Sequence, residues 1–445
     1  MSEVALKQES EIVKGWKRYP AYKDSGVEWL GKIPEHWEVR KVSHAFQKIG
    51  SGTTPSTNHY DYYEGNIPWV NTSELREKVI TDTSAKLTNK ALLDHSVLNL
   101  YPPGTLLIAM YGATIGRLGI LGITACTNQA CCALANPISI NAKFAFYWLW
   151  MRRNELILLS SGGGQPNINQ EKIRSIRIPA PPLTEQQAIA QFLDRETAKI
   201  DTLVAKKERL IELLKEKRTA LISHAVTKGL NPDAPMKDSG VEWLGEVPRN
   251  WPMIRLKHVA PVSSAKLTQK PDNLPYIGLE HIESKTGRLL LDTPVENVES
   301  TVSCFEKGDV LFGKLRPYLA KVLLAEFEGV STTELLALKP SQDVNGKFLF
   351  FQLIAEGFID QVNSFTYGTK MPRVGPEQIT NLFIPLPPLP EQQAIAQFLD
   401  RETAKIDTLV AKTRTSIEKL KEYRTALISA AVTGKIDVRE EVPIQ

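Results

Sequence analysis

Lys314, Arg316, Tyr318 and Lys321 stand close together in the second half of the chain, followed by Thr333 and Glu334 and then by Lys370 and Arg373. Arginine and lysine donate to guanine O6 and N7, glutamate accepts from cytosine N4, and every cation among them can hold a phosphate. A second set, Thr53, Thr54, Ser56, Asn58, Arg117, Asn128, Gln129, Gln165 and Asn167, lies in the first half and is richer in side-chain amides, which suit adenine. The sets fall at matching places: Asn167 aligns with Arg373, and Asn128 and Gln129 lie near Thr333 and Glu334. Different chemistry at matching places would read different bases.

Catalytic patterns are absent. There is no G-x4-G-K-[ST] phosphate loop, no H-E-x-x-H pair among the seven histidines, and no strand–turn–helix frame around Gly162 that would make a dinucleotide site. The stretch from Asn136 to Ser139 begins like an amino-methyltransferase tetrapeptide but lacks its second proline and its aromatic residue. Asp272, Glu283 and Lys285 fit the loose pattern of a magnesium-dependent nuclease, in which two acids hold the metal and a lysine assists the attacking water. That pattern tolerates many spacings and has no counterpart in the first half, so it reads as a solvated loop; a stand-alone nuclease is the alternative function. No catalytic, cofactor-binding or metal-binding residue is expected. Cys126, Cys131, Cys132 and Cys304 match no zinc spacing and read as buried free thiols.

Bulk properties narrow the class. The 445 residues exceed one ordinary domain, and the net charge of +4 permits a polyanionic partner without demanding one. No apolar run reaches the roughly 18 residues of a membrane span, and residues 1–20 lack the apolar core of a signal peptide, so the expected location is cytoplasmic.

The frame that must position these side chains is duplicated. Residues 185–206 recur unchanged at 391–412, and KDSGVEWLG occurs at 23–31 and again at 237–245. Each half has a constant opening, a divergent middle and a constant helical close, and short matches link the middles: Gly104 with Gly308, Asn141 with Asn345, Pro166 with Pro372, Ile176 with Leu382. The closes begin with stiff proline segments at 179–183 and 385–390. Thr184 is positioned as an N-cap with Gln187 completing a capping box, whereas the second copy carries Pro390 in the first turn.

Beyond these starts the pattern is heptad-like. Leu193, Ile200, Leu214 and Leu221 share a stripe with Leu203 and Leu210; the second copy supplies Leu399, Ile406, Leu420 and Leu427, with Leu409 between. Helices of about 40 residues, roughly 60 Å long, need a partner. The twin is the obvious one, and antiparallel pairing would put one middle at each end. The middles read as mixed, with strands at 105–110, 310–312 and 335–338 and one apolar helix each, at 144–159 and 348–362.

These motifs, SGVEWLGKIPEHW with its copy SGVEWLGEVPRNW, SGTTPS, GDVLFGKLRPY and the two proline segments running into EQQAIAQFLD, resemble the specificity subunit of type I restriction–modification systems over almost the whole chain. The resemblance implies an α/β protein of mixed α+β type. Two globular target recognition domains would be joined by a long antiparallel two-helix coiled coil with an internal pseudo-two-fold repeat. The expected divisions are residues 1–36, a segment completing the frame; 37–178, the first recognition domain; 179–228, the first helical repeat; 229–250, a linker with the repeated opening; 251–384, the second recognition domain; and 385–445, the second helical repeat and tail. The resemblance further implies a non-catalytic reader of a split, asymmetric duplex target, with the coiled coil as ruler. Its partners would be double-stranded DNA, two modification subunits and the restriction–translocase subunits, with no membrane. S-adenosylmethionine, ATP and magnesium would serve those partners, leaving this chain without a cofactor. The first middle reads GTLLIAMYGATIG where the second has GDVLFGKLRPY, so basic readers at Lys314 and Arg316 do not carry over to it.

Overall fold

The computed structural model describes residues 15–158, 167–290 and 300–441; Gln165 lies outside them. The chain divides into two units, Met1–Lys206 with Thr415–Gln445, and Lys207–Arg414.

In the first unit, apolar runs broken by glycine form a five-stranded sheet. Its strands are β1 (Phe46–Ser51), β3 (Lys78–Ile80), β4 (Leu106–Ala109), β5 (Leu118–Leu121) and β7 (Cys131–Pro137), in the order β1-β7-β4-β5-β3. All neighbours are antiparallel except β3 and β5. A smaller sheet holds β2 (Tyr63–Val70) and β6 (Cys126–Thr127), which run parallel. Every residue of β4 is buried, so its hydrophobicity is continuous rather than alternating. Two short helices follow, α1 (Ala142–Met151) and α2 (Arg153–Leu158), where the sequence predicts one. The break falls at Arg152, whose backbone leaves the helical region.

The second unit repeats this plan. β10 (Val310–Gly313) lies between β11 (Val322–Leu324) and β13 (Leu335–Leu338), as β4 lies between β5 and β7. β8 (Tyr276–Ile277) pairs in parallel with β12 (Gly329–Thr332), and β12 pairs antiparallel with β9 (Val302–Phe305). The predicted single helix is again two, α4 (Gly346–Ile354) and α5 (Glu356–Ser364), separated by the extended Ala355.

The two longest helices are α3 (Leu183–Lys228) and α6 (Leu389–Val432). Helix α3 starts earlier than the capping-box reading has it. The Pro182 carbonyl accepts from the Glu185 and Gln186 amides at 2.9 and 3.0 Å, so Thr184 lies inside the first turn. Pro388 does the same for Glu391 and Gln392, with Pro390 in the first turn as predicted.

Each unit contains the beginning of one long helix and the end of the other, packed antiparallel. In the first, Asp201 meets Arg424 at 2.9 Å while Arg195, nearer the start of α3, reaches the Glu441 carbonyl at 2.7 Å. In the second, Arg218 meets Asp407 at 3.1 Å while Gly229, at the end of α3, approaches Glu391 near the start of α6. The two ion pairs occupy equivalent positions of the repeat.

The buried seam differs from the predicted one. Leu193, Ile200, Leu399, Ile406 and Leu427 are buried, and Leu214, Leu221 and Leu420 half-buried, as the heptads require. The second stripe, however, falls four residues after the first rather than three: Thr197, Arg218 and Ala225 are buried in α3, Thr403, Ile417 and Ala431 in α6. Leu203 and Leu409, assigned to the seam by sequence, are 47% and 51% exposed, and Leu210 is also exposed. Side chains one position apart in a helix point about 100° apart, so a one-residue error in the stripe turns a core residue outward.

Both cores join the globular part to the helices. Trp37, Phe144 and Trp148 pack with Phe192, Leu193, Leu427 and Ile428 in the first unit; Trp251, Phe348, Phe351 and Phe358 pack with Ile222, Val226, Ile395 and Leu399 in the second. Each such side chain contributes about 1.5–3 kcal/mol of burial. Cys126, Cys131 and Cys132 are buried thiols, the first and last pushed up to about 12 by burial; Cys304 is half-buried.

Candidate nucleic-acid interface

The candidate reading surface in each unit forms where the central strand ends. In the second unit β10 runs into Lys314, whose amide donates to the Glu334 carbonyl at 2.9 Å and whose carbonyl accepts from the Val374 amide at 3.1 Å. The Arg316 amide donates to the Pro372 carbonyl at 2.7 Å. Arg316 has φ +50°, in the left-handed region, so the chain turns sharply there before Pro317. A hairpin-like pair of bonds, both 3.0 Å, between Tyr367 and Arg373 shapes the arriving loop. Three segments far apart in sequence thereby bring Lys314, Arg316, Glu334, Lys370 and Arg373 to one place.

The charges there interact. The Arg373 guanidinium lies 3.1 Å from Glu334 Oε1. Burial lowers the pKa of Lys314, as do the neighbouring Lys266 and Arg373, and Glu334 opposes that shift. Arg316 reaches the Lys370 carbonyl at 3.4 Å. Tyr318 is exposed beside this cluster and Thr333 half-buried within it. Lys321 is directed inward: its ammonium donates to the Leu279 carbonyl at 2.6 Å, and burial lowers its pKa. Lys266, absent from the sequence-derived set, joins because Lys266–Leu267 pairs with β9; its isolated position in the sequence carried no signal.

The first unit has the same backbone scaffold with other side chains. The Met110 amide donates to the Ala130 carbonyl at 2.8 Å and its carbonyl accepts from Ile168 at 2.9 Å, while Tyr111 bridges to Asn167. Met110 therefore stands where Lys314 does, Ala130 where Glu334 does, and Asn167 where Arg373 does. The last agrees with the sequence alignment; the glutamate's counterpart is Ala130, one residue beyond the Asn128–Gln129 pair. Arg117 corresponds to Lys321, since their carbonyls accept from Ala109 and Gly313, each at 2.9 Å.

Thr54 and Gln129 are exposed and hydrogen-bonded to each other at 2.6 Å. Ser56 and Asn58 lie on the same exposed loop. Thr53 accepts from Trp69 through its carbonyl, and Asn128 is engaged with Asn71 at 3.2 Å and with the Ala130 amide at 3.1 Å. Asn128 thus holds the turn together. Tyr111, exposed beside Asn167, escaped sequence analysis because a lone tyrosine carries no pattern.

Of the residues in the loose nuclease pattern, the one acid that is half-buried is held by its own neighbours. Glu283 accepts from Thr286 at 2.7 Å and pairs with Arg288 at 3.1 Å, while Asp272 and Lys285 are exposed. Among the described residues no three His, Cys, Asp or Glu side chains are grouped to hold a metal. No helix among them is long and apolar enough to cross a membrane.

The chain matches the profile of the type I restriction modification DNA specificity domain twice, over residues 34–213 and 248–419. The MjaVIII type I restriction enzyme specificity subunit of Methanocaldococcus jannaschii is 26% identical over 426 residues, covering 92% of this chain and 95% of that one. The EcoDI specificity subunit of Escherichia coli is 27% identical over 427 residues, covering 91% and 90%. Among solved structures, one chain from work on assembly and conformational transition of a type I R-M system aligns with TM-score 0.66 at 16% identity, covering 90% of this chain and 98% of its own. The HsdS subunit from Thermoanaerobacter tengcongensis aligns with TM-score 0.54 at 17% identity, covering 91% and 98%. At those identities the likeness concerns the fold.

Proposed function

Because the chain belongs to the type I restriction–modification DNA specificity family, its role is to recognise DNA without catalysing a reaction, and we propose that it reads a bipartite, asymmetric duplex target, one half with each unit. The observation that carries this reading is the shared scaffold at the ends of β4 and β10, which places Asn167 and Ala130, with Met110 turned into the core, in one unit and Arg373, Glu334 and Lys314 in the other. Equal scaffolds with unequal side chains suit two different half-targets.

The paired long helices set the unread spacer between the halves and carry the partners. Leu203 and Leu409, identical and exposed in both copies of the repeat, suit the docking of two identical modification subunits, with restriction–translocase subunits completing the assembly. S-adenosylmethionine, ATP and magnesium are used by those partners in the cytoplasm, and any flipped adenine enters their pocket rather than this chain. The test replaces residues 252–384 with the corresponding middle of another family member and maps modified adenines genome-wide. One half of the target changes and the other stays. A target altered in both halves, or in neither, overturns the reading.

A further inference from the structure

We propose that Glu334 and Arg373 act as one reading pair for a G·C base pair, with Arg373 on the guanine and Glu334 accepting from the cytosine. This rests on the proposed role of the second unit as a reader of half the target.

Glu334 is the anomaly of its surroundings. Lys314, Arg316, Lys370 and Arg373 converge with it, and Lys266 is near enough to perturb Lys314. On a surface that meets phosphate, a carboxylate is repelled and must offer something in return. One of its oxygens holds Arg373 at 3.1 Å. The other, Oε2, is buried with no hydrogen-bond partner among the described residues. A buried, partnerless carboxylate oxygen is costly in the free protein, and because the Glu334 side chain is itself only half-buried, a turn of that side chain would bring the oxygen to an incoming donor.

Base chemistry supplies that donor. In the major groove cytosine offers its N4 amino group, and the guanine paired with it offers O6 and N7 as acceptors. A guanidinium has five donors in a planar fork, and the contact with Glu334 leaves donors free for guanine. A carboxylate and a guanidinium held side by side therefore match the two halves of one G·C edge. The carboxylate also works against the alternatives, since thymine O4 or guanine O6 at the cytosine position would face it acceptor to acceptor. The first unit has Ala130 and Asn167 at the corresponding positions and so lacks this pair.

The experiment uses the complex assembled with its modification subunits, after its target has been mapped. Competition binding is measured against duplexes in which each base pair of the target is replaced in turn, for wild type and for Glu334→Gln and Arg373→Lys. The half belonging to the second unit contains a G·C pair whose replacement by A·T weakens wild-type binding on the order of ten- to a hundredfold. Both variants lose most of that discrimination at this pair and keep it elsewhere. Glu334→Gln, having shed a negative charge, also binds scrambled duplex as well as wild type or better.

A merely structural glutamate would give a different result, with binding to all duplexes falling together. That outcome, full discrimination by either folded variant, or a half-target without a G·C pair overturns the proposal. Failure of the underlying reading has its own signature: exchanging residues 252–384 would then leave the target unchanged.

Discussion

Gln186 and Gln392 hold the same backbone groups in the two units. Gln186 accepts from the Asn141 amide at 2.6 Å and donates to the Ser139 and Pro181 carbonyls at 3.1 and 2.8 Å. Gln392 accepts from Asn345 at 2.8 Å and donates to Asp343 and Pro387 at 3.0 and 2.8 Å. Both amides are buried with acceptor and donors used, fastening each globular middle to the start of its helix. The identity of the repeat therefore has a cause beyond coiled-coil pairing. Replacing Gln186 by alanine strands buried backbone groups and costs on the order of 3 kcal/mol; hydrogen exchange across 139–145 should accelerate, and unchanged exchange would refute the clamp. Identity does not guarantee equal surroundings, however. Glu185 is buried and bonded to Tyr19 at 2.6 Å, His36 at 2.8 Å and Trp37 at 2.9 Å, whereas Trp251, the counterpart of Trp37, has a buried indole N–H with no partner among the described residues. Asn250 replaces His36 there.

The long helices show the same divergence at the scale of an element. Arg218 and Arg424 are equivalent, and each pairs with an aspartate of the other helix. Arg218 is 9% exposed and also donates to the Lys285 carbonyl at 2.9 Å; Arg424 is more exposed and lies 5.0 Å over the Trp150 ring. Arg218→Ala should cost about 2–3 kcal/mol, because the nearly buried guanidinium gives charged hydrogen bonds to the Lys285 carbonyl and the Asp407 carboxylate, and both are lost together. Arg424→Ala should cost about 1 kcal/mol, the worth of a surface ion pair with a ring contact. Hydrogen exchange in α3 and α6 measures both, and equal losses would contradict the assignment. The heptad pattern made the helices and one stripe of their seam legible. The second stripe was not, because Leu203 and Leu210 at i+3 are as apolar as Val204 and Ile211 at i+4, while Thr197, Arg218 and Ala225, which the crossing geometry also buries, carry little apolar signal of their own.

At the scale of the whole molecule, exposed leucines on a repeated frame bear on assembly. Leu203→Asp combined with Leu409→Asp should leave the thermal unfolding of the chain nearly unchanged, since both residues are about half exposed. The double variant should also fail to co-purify with modification subunits; undiminished co-purification would remove these leucines from the docking surface. The family match over 34–213 and 248–419 agrees with the duplication visible in the sequence, and the central sheets share a three-strand core, β5-β4-β7 and β11-β10-β13, although their residues have diverged.

The sequence by itself determined the duplication, the two long helices, the central strands and the class of protein, because these rest on periodicity and on motifs local to the chain. It also pointed to Asn167 opposite Arg373, since both follow a proline-marked turn at matching distance from the repeat. Only the tertiary structure decided that Ala130 rather than Gln129 stands opposite Glu334, that Lys321 and Asn128 are committed to internal bonds, and that Lys266 belongs with the basic cluster. Those outcomes depend on which backbone groups meet when residues 314–316, 334 and 372–374 converge. Hydrogen bonds between segments tens of residues apart leave no trace in the local order of side chains.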